Sequence, residues 1–448
     1  MTEISSEHHS SEDQSQHQGT LQKRVAVLLM GYGEVESYED FANYNEQALQ
    51  LLTAKFAPVP TWLYPPLAKL LALFDVHEWG HQHGNFISPH NQIFERQRAG
   101  IEANLQETWG DRVKVFKAFN FCAPFLPDQV LRQIHSEGFE QLLIYPLLVV
   151  DSVFTSGIAI EQVNQGLGAI ARETWESADI SDTSEESSAT SQTQTQTALP
   201  PKAAAIQWPQ NTRYIPSFYD EPDYIQFLAD FVDHTIQKDL AIAHLPSQIG
   251  IVLMNHGCPH KAKGFTSGIL ESEALYEAVR KKLINRYPLI SVGWLNHDTP
   301  LIDWTQPHAE LAAKNLIELG ATAILMMPIG FVTENHETLL DVEHIIEAVR
   351  RRYPAIAYRQ LPCPNDHPNF LKMAAGWANP HIDALLNPQP APPNLAAHET
   401  YQTTIVYTPH HHDHSHGGTH DHDHAHDHAH SHHDAHQHAH NHHGHHHP

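Results

Sequence analysis

Apolar positions along the chain fall in short continuous runs that alternate with stretches of helical period. "VAVLLMGYG" at 25–33 and "IGIVLMNHG" at 249–257 are compact and rich in β-branched residues. That pattern predicts strands of a parallel sheet buried on both faces. "SEALYEAVRKKLINRYP" at 272–288 repeats its apolar positions every three to four residues and predicts a helix. Strands alternating with helices imply βαβ units.

The two opening runs are part of a weak internal duplication. "EGFEQLLIYPLLVV" at 137–150 answers "LGATAILMMPIGFV" at 319–332, with Gly138 and Gly320 each eight residues before Pro146 and Pro328. The predicted fold class is therefore α/β, with two Rossmann-like doubly wound lobes on parallel sheets and a ligand cleft between them. Three polar or Pro-rich segments lack the apolar content to fold. They divide the chain into a disordered N-terminus (1–22), lobe 1 (23–176), a Ser/Thr/Gln linker (177–207), lobe 2 (208–387) and a Pro-rich then His-rich tail (388–448).

The net charge of -26, with 26 Lys and Arg in 448 residues, argues against a nucleic-acid partner. Three widely spaced cysteines suggest neither a disulfide framework nor a cysteine metal site, and a reduced cytoplasm fits. The start lacks a basic, then apolar, leader, and no run is long enough to span a bilayer. "TWLYPPLAKLLALF" at 61–74 is apolar enough to line a pocket or touch a membrane surface.

Equivalent positions of the duplication show where chemistry concentrates. Tyr32 aligns with His256, and Thr155 with Glu337, so the titratable pair lies in lobe 2 at the carboxyl ends of its strands. There an imidazole could take a proton near neutral pH or guide a metal. Glu337 should fall in the first turn of a helix capped by Thr333 or Asn335. Asp341 and His344 follow on the same face, opposite Leu340, Val342, Ile345 and Ile346.

"FVTENHETLLDVE" resembles the ferrochelatase signature, a Ser-Asp-His-x-Glu-Thr-Leu run that opens the helix bearing the catalytic glutamate. "NHGCP" resembles that family's His-Gly-x-Pro or His-Ser-x-Pro loop. "IPSFYDEPDYIQFLADFV", "NHDTPLIDWTQPHAELAAKNLIELG" and "LPCPNDHPNFLKMAA" follow in the family's order, over roughly residues 24–376. The resemblance implies an ATP-independent class II chelatase with no catalytic cofactor, placing Fe2+ as substrate into a porphyrin of the heme pathway. It makes His256 and Glu337 catalytic, and Asp341, His344 and Glu334 a path for metal or protons. Tyr32, Trp62, Leu63, Tyr64 and Thr155 are tetrapyrrole-binding candidates, with Phe74 at the lip.

The chain departs from the family pattern at several places. Glu334 and Asn335 hold the Asp and His positions, and the third acid of the helical ladder is Ile345. Phe119, Asn120 and Phe121 replace a Met-Arg-Tyr segment whose arginine holds substrate, and the opening Asn-x-Gly-Gly-Pro has become "GYGEVES". These changes keep two other readings open: cobalt or nickel insertion into sirohydrochlorin or a related ring, and a non-catalytic tetrapyrrole- or metal-binding homologue.

From His410 onward the chain holds 21 of its 40 histidines, among them His411, His412, His420, His422, His424, His426, His428 and His430. Repeated HxH spacing offers several imidazoles to one cation, and imidazole suits Zn2+, Ni2+ or Co2+. A tail that stores or delivers metal is expected. "DVHEWGHQH" adds His77, His81 and His83 as a second candidate cluster.

Overall fold

In the computed structural model the described residues are 23–53, 60–183, 208–241, 243–259, 267–296 and 303–388. The expected N-terminal segment, nearly all of the linker and the histidine tail lie outside them.

Each opening run forms the centre of a four-stranded parallel sheet. In the first sheet β1 (Val25–Gly31) lies between β2 (Val113–Phe119) and β3 (Gln141–Pro146), with β4 (Asn211–Tyr214) at the edge. The second repeats this order, with β5 (Ile249–His256) between β6 (Leu289–Leu295) and β7 (Ala323–Pro328), and β8 (Ala357–Gln360) outermost. The duplication extends to register: Met30 pairs with Pro146 as Met254 pairs with Pro328.

Central strands are buried on both faces, which is why they read as unbroken apolar runs. One face of each sheet contributes to a shared core containing Val25, Leu143, Ile251, Leu325 and Phe370. The opposite faces are covered separately, the first around Val130, Leu131 and Val163, the second around Ala312, Val342 and Ile346.

Two boundaries differ from the sequence expectation. Residues 211–214, placed in lobe 2, complete the first sheet by pairing with β3, and helix Ser156–Thr183 runs past the expected lobe end at 176. The C-terminal helix Pro368–Leu386 also belongs partly to the first lobe, where Tyr145 donates to the Ala374 carbonyl (3.1 Å) and Trp109 to Asn379 (2.8 Å). An edge strand and a covering helix are satisfied by whichever sheet presents a free edge or apolar face, so chain order does not assign them.

Further polar links tie the lobes. Gln97, fully buried on helix His90–Trp109, donates to the carbonyls of Val332 and Asn365 (both 3.0 Å) and accepts from Thr333 Oγ1 (2.8 Å). The loop after β7 is thus held against lobe 1. Among the described residues no helix is long and apolar enough to cross a membrane.

Candidate active site

β5 ends at His256, and the chain turns immediately at Gly257. A Cβ on Gly257 would stand 1.7 Å from Asn296 Oδ1 and 2.8 Å from Thr305 Oγ1, so only glycine allows this close passage. The His256 ring stays partly open, 44 % exposed, and its Nδ1 donates to the Gly257 carbonyl at 2.6 Å. A carbonyl can only accept, so Nδ1 carries hydrogen and Nε2 is the working nitrogen. Nε2 lies 3.1 Å from Glu337 Oε1, whose side chain is 11 % exposed.

Burial would lower the His256 pKa, but the charge of Glu337, its hydrogen bond and the Gly257 carbonyl outweigh it and raise the imidazole above its ordinary value. Glu337 opens a wide helical turn, Glu337–Asp341, that continues into helix Val342–Arg352. The expected cap is present at Asn335, whose Oδ1 accepts from Thr338 N (2.9 Å) while Thr338 Oγ1 accepts from Asn335 N (3.0 Å). Asn335 Nδ2 also reaches Glu337 Oε2 at 3.3 Å. Thr333, the other candidate cap, is taken by Gln97.

Two residues that sequence reasoning did not select meet beside this pair. Gly33, at φ 81°, lets the chain leaving β1 turn inward, and Glu34 enters the interior with its side chain 4 % exposed. Its carboxylate accepts from Ser88 Oγ, from His336 N (3.2 Å) and from His336 Nδ1. Asn91 holds the Glu34 backbone at both ends, accepting from N (3.0 Å) and donating to O (2.6 Å). Burial works against charge on both partners. The carboxylate nevertheless holds His336 up at about 10, and His336, His90 and Ser88 together bring Glu34 below its ordinary value. The only hint in the sequence was that Glu34 breaks the glycine pattern after β1.

Tyr32 lies in the same neighbourhood. Its ring packs on Phe121 at 4.7 Å, and its phenol is pushed up by burial and then by the charges of Glu337 and Glu34. Asp341 lines a cavity of about 300 Å3 with Glu34, Asp75, Glu78, Trp79 and His336. Burial first, then Glu337 and Glu78, raise Asp341 to about 6, opposed by His336 and His344.

Other candidates are placed differently. Glu334, expected on the metal or proton path, has its oxygens engaged by the loop after β8, accepting from Cys363 N (3.2 Å) and Asn365 Nδ2. His344 is exposed and its ring lies 4.6 Å from that of His83, so His83 leaves the 5.3 Å pair formed by His77 and His81. Among the described residues no group of three His, Cys, Asp or Glu side chains is arranged to hold a metal. Trp62 is 72 % exposed at the start of helix Tyr64–Val76 and Leu63 is half-buried, whereas Tyr64 is buried in the helix's first turn and does not face the opening as expected. Thr155 is half-buried, its hydroxyl on the Ser152 carbonyl (3.4 Å). Ile345 packs in the second lobe's outer core, and Asn120 is fully buried, with its backbone N–H on the Gly31 and Tyr32 carbonyls.

The ferrochelatase profile matches residues 24–186 and 180–382. A ferrochelatase of Gloeothece citriformis is 26 % identical over 359 residues, covering 79 % of this chain and 81 % of its own. One of Nostoc punctiforme is 25 % identical over 372 residues, covering 82 % and 83 %. Among solved structures, the sirohydrochlorin chelatase SirB of Bacillus subtilis in complex with cobalt aligns at 10 % identity and a TM-score of 0.39, over 82 % of this chain and 97 % of its own. The profile spans both lobes, including the strand ends that carry His256 and Glu337, and the chain belongs to the ferrochelatase family.

Proposed function

We propose that the chain inserts a divalent metal into a tetrapyrrole without ATP, with Fe2+ and a porphyrin of the heme pathway as substrates. The observation that carries this reading is the 3.1 Å contact of His256 Nε2 with Glu337 at the carboxyl ends of the second sheet's strands.

Metal insertion removes two pyrrole protons as the metal enters, so the ring needs acceptors on one face. The His256–Glu337 pair supplies them. With Nδ1 on the Gly257 carbonyl, Nε2 and the Glu337 carboxylate are the basic groups that the pair brings together. The raised imidazole pKa favours a proton held between the two groups, so the pair accepts from the ring more readily as pH rises. Asp341, poised near neutrality on the adjoining cavity, suits onward proton transfer or passage of a hard cation. Trp62 and Phe74, both exposed, form an apolar edge suited to the flat ring or to a membrane surface.

The histidine-rich tail, outside the described residues, would bind or deliver divalent metal, with Zn2+, Ni2+ or Co2+ suited to its imidazoles. Free thiols at Cys122, Cys258 and Cys363 accord with a cytoplasmic setting. Asn120 in place of a substrate-holding arginine favours keeping one second reading, insertion of Co2+ or Ni2+ into a more acidic ring such as sirohydrochlorin.

An insertion assay crossing Fe2+, Co2+ and Ni2+ with a dicarboxylate porphyrin and with sirohydrochlorin tests the assignment. Turnover of Fe2+ with the porphyrin is expected. Turnover only with the acidic ring would replace it by the second reading, and tight ring binding without insertion would refute both.

A further inference from the structure

Within the chelatase reading, on which this inference rests, we infer that Glu34 acts through His336 as a positioning residue, by which the first lobe sets the Glu337 carboxylate against His256. A continuous set of short contacts carries the argument. Glu34 is anchored in lobe 1, its backbone gripped at both ends by Asn91 and its carboxylate by Ser88. It holds His336 at two points, the backbone N and ring Nδ1. Holding the backbone and ring of His336 fixes where the chain enters the turn that opens with Glu337, and Trp79 packs against the His336 ring at 5.5 Å. From Glu337 the last step is the 3.1 Å contact with His256.

The contact crosses between the carboxyl edges of the two sheets. Glu34 follows β1 and His336 follows β7, 302 positions apart. Losing this contact would release His336, and the turn that carries Glu337 directly after it, from lobe 1. A buried ion pair is a weak source of net stability compared with apolar residues of similar size, and its best-attested use is to specify one arrangement. Glu34 stands at the second glycine of the Asn-x-Gly-Gly-Pro pattern, so this chain carries a charge where that pattern has none.

The test uses the full chain with Glu34→Gln, His336→Leu, the double variant, and His336→Asn, whose amide nitrogen falls near the place of Nδ1. Steady-state insertion of Fe2+ into porphyrin is measured alongside crystal structures of wild type and Glu34→Gln. Each of the first two variants should lower kcat roughly ten- to a hundredfold, the range a displacement near 1 Å produces, with both KM values little changed. The double variant should be no worse than the poorer single one. His336→Asn should recover most of kcat, and Glu337 should be displaced from His256 in Glu34→Gln.

Additive losses, a rise in the KM for metal with kcat intact, or an undisturbed Glu337–His256 contact in Glu34→Gln would overturn the inference. The second of these outcomes would make the pair a metal-binding site instead. If wild type gives no turnover, the chelatase reading fails, and the crystal structures still decide whether Glu34 positions Glu337.

Discussion

Replacing Glu34 with alanine offers a direct measure of the clasp between the lobes. Its carboxylate, 4 % exposed, is the acceptor for Ser88 Oγ, His336 N and His336 Nδ1 at once. Removing Glu34 leaves the His336 ring, 31 % exposed, without its counter-charge, at a cost of at most roughly 3–5 kcal/mol, the figure for a fully buried pair. Glu34→Gln keeps a carbonyl oxygen for part of the set and should cost about 1–3 kcal/mol. With a conversion of at most roughly 2–4 °C per kcal/mol, the alanine variant should melt up to about 20 °C below wild type.

The deficit should depend on pH in a set direction. His336 is held above its ordinary value of 6.5, at about 10, so its contribution is fully present below 6.5 and fades as pH rises through about 10. Glu34 is held below 4.5, so its contribution is present above that value and is lost as pH falls through the lowered pKa. Thermal melts of wild type and Glu34→Ala, compared pairwise from pH 7 to beyond 10, should therefore converge at the alkaline end. A deficit under about 1 kcal/mol at pH 7, or one of constant size across that range, would refute the assignment of a charged, enclosed pair.

Other perturbations test the site and the tail. Glu337→Gln and His256→Ala should each lower insertion by roughly 10²–10⁴-fold with an unchanged circular dichroism spectrum, and near-wild-type rates would remove the catalytic assignment. The ascending limb of the wild-type pH–rate profile should lie above 6.5, because His256 must lose its extra proton to accept one, and it should move down in any Glu337→Gln activity that remains. Gly257→Ala drives a methyl group into Asn296 and Thr305 and should cost about 1–3 kcal/mol of stability along with most of the activity, read by melting and assay together. Truncation after Thr408 should leave the rate at saturating metal unchanged but raise the metal concentration needed, and an unchanged metal dependence would remove the delivery role.

What the sequence made legible is what is encoded locally. β5 and β7 announced themselves because a strand buried on both faces must be apolar throughout, and His256 and Glu337 because each follows such a run within a few residues. The turn around Asn335 was readable for the same reason, since a cap and its partners lie within one turn of helix. β4 was not. "NTRY" has no apolar run, alternates exposed with half-buried positions, and is a strand only because β3 offers an edge. Tyr64 and Trp62 could not be told apart either, because which side of an apolar helix faces inward is decided by what packs on it.

The acidic route shows the same limit in a form that bears on function. Read along one helix, the ladder seems to stop at Asp341, since Ile345 at the next position carries no charge. Its place in the second lobe's outer core explains why: a carboxylate there would lose its water without gaining a partner. In space further acids stand opposite, because Asp75, Glu78 and Glu34 of lobe 1 line the same cavity as Asp341 and His336. Side chains divided between two lobes leave no periodic trace in either, so a motif drawn from one helix recovers the part of the site that lobe 2 builds alone and misses the part that exists only when the lobes meet.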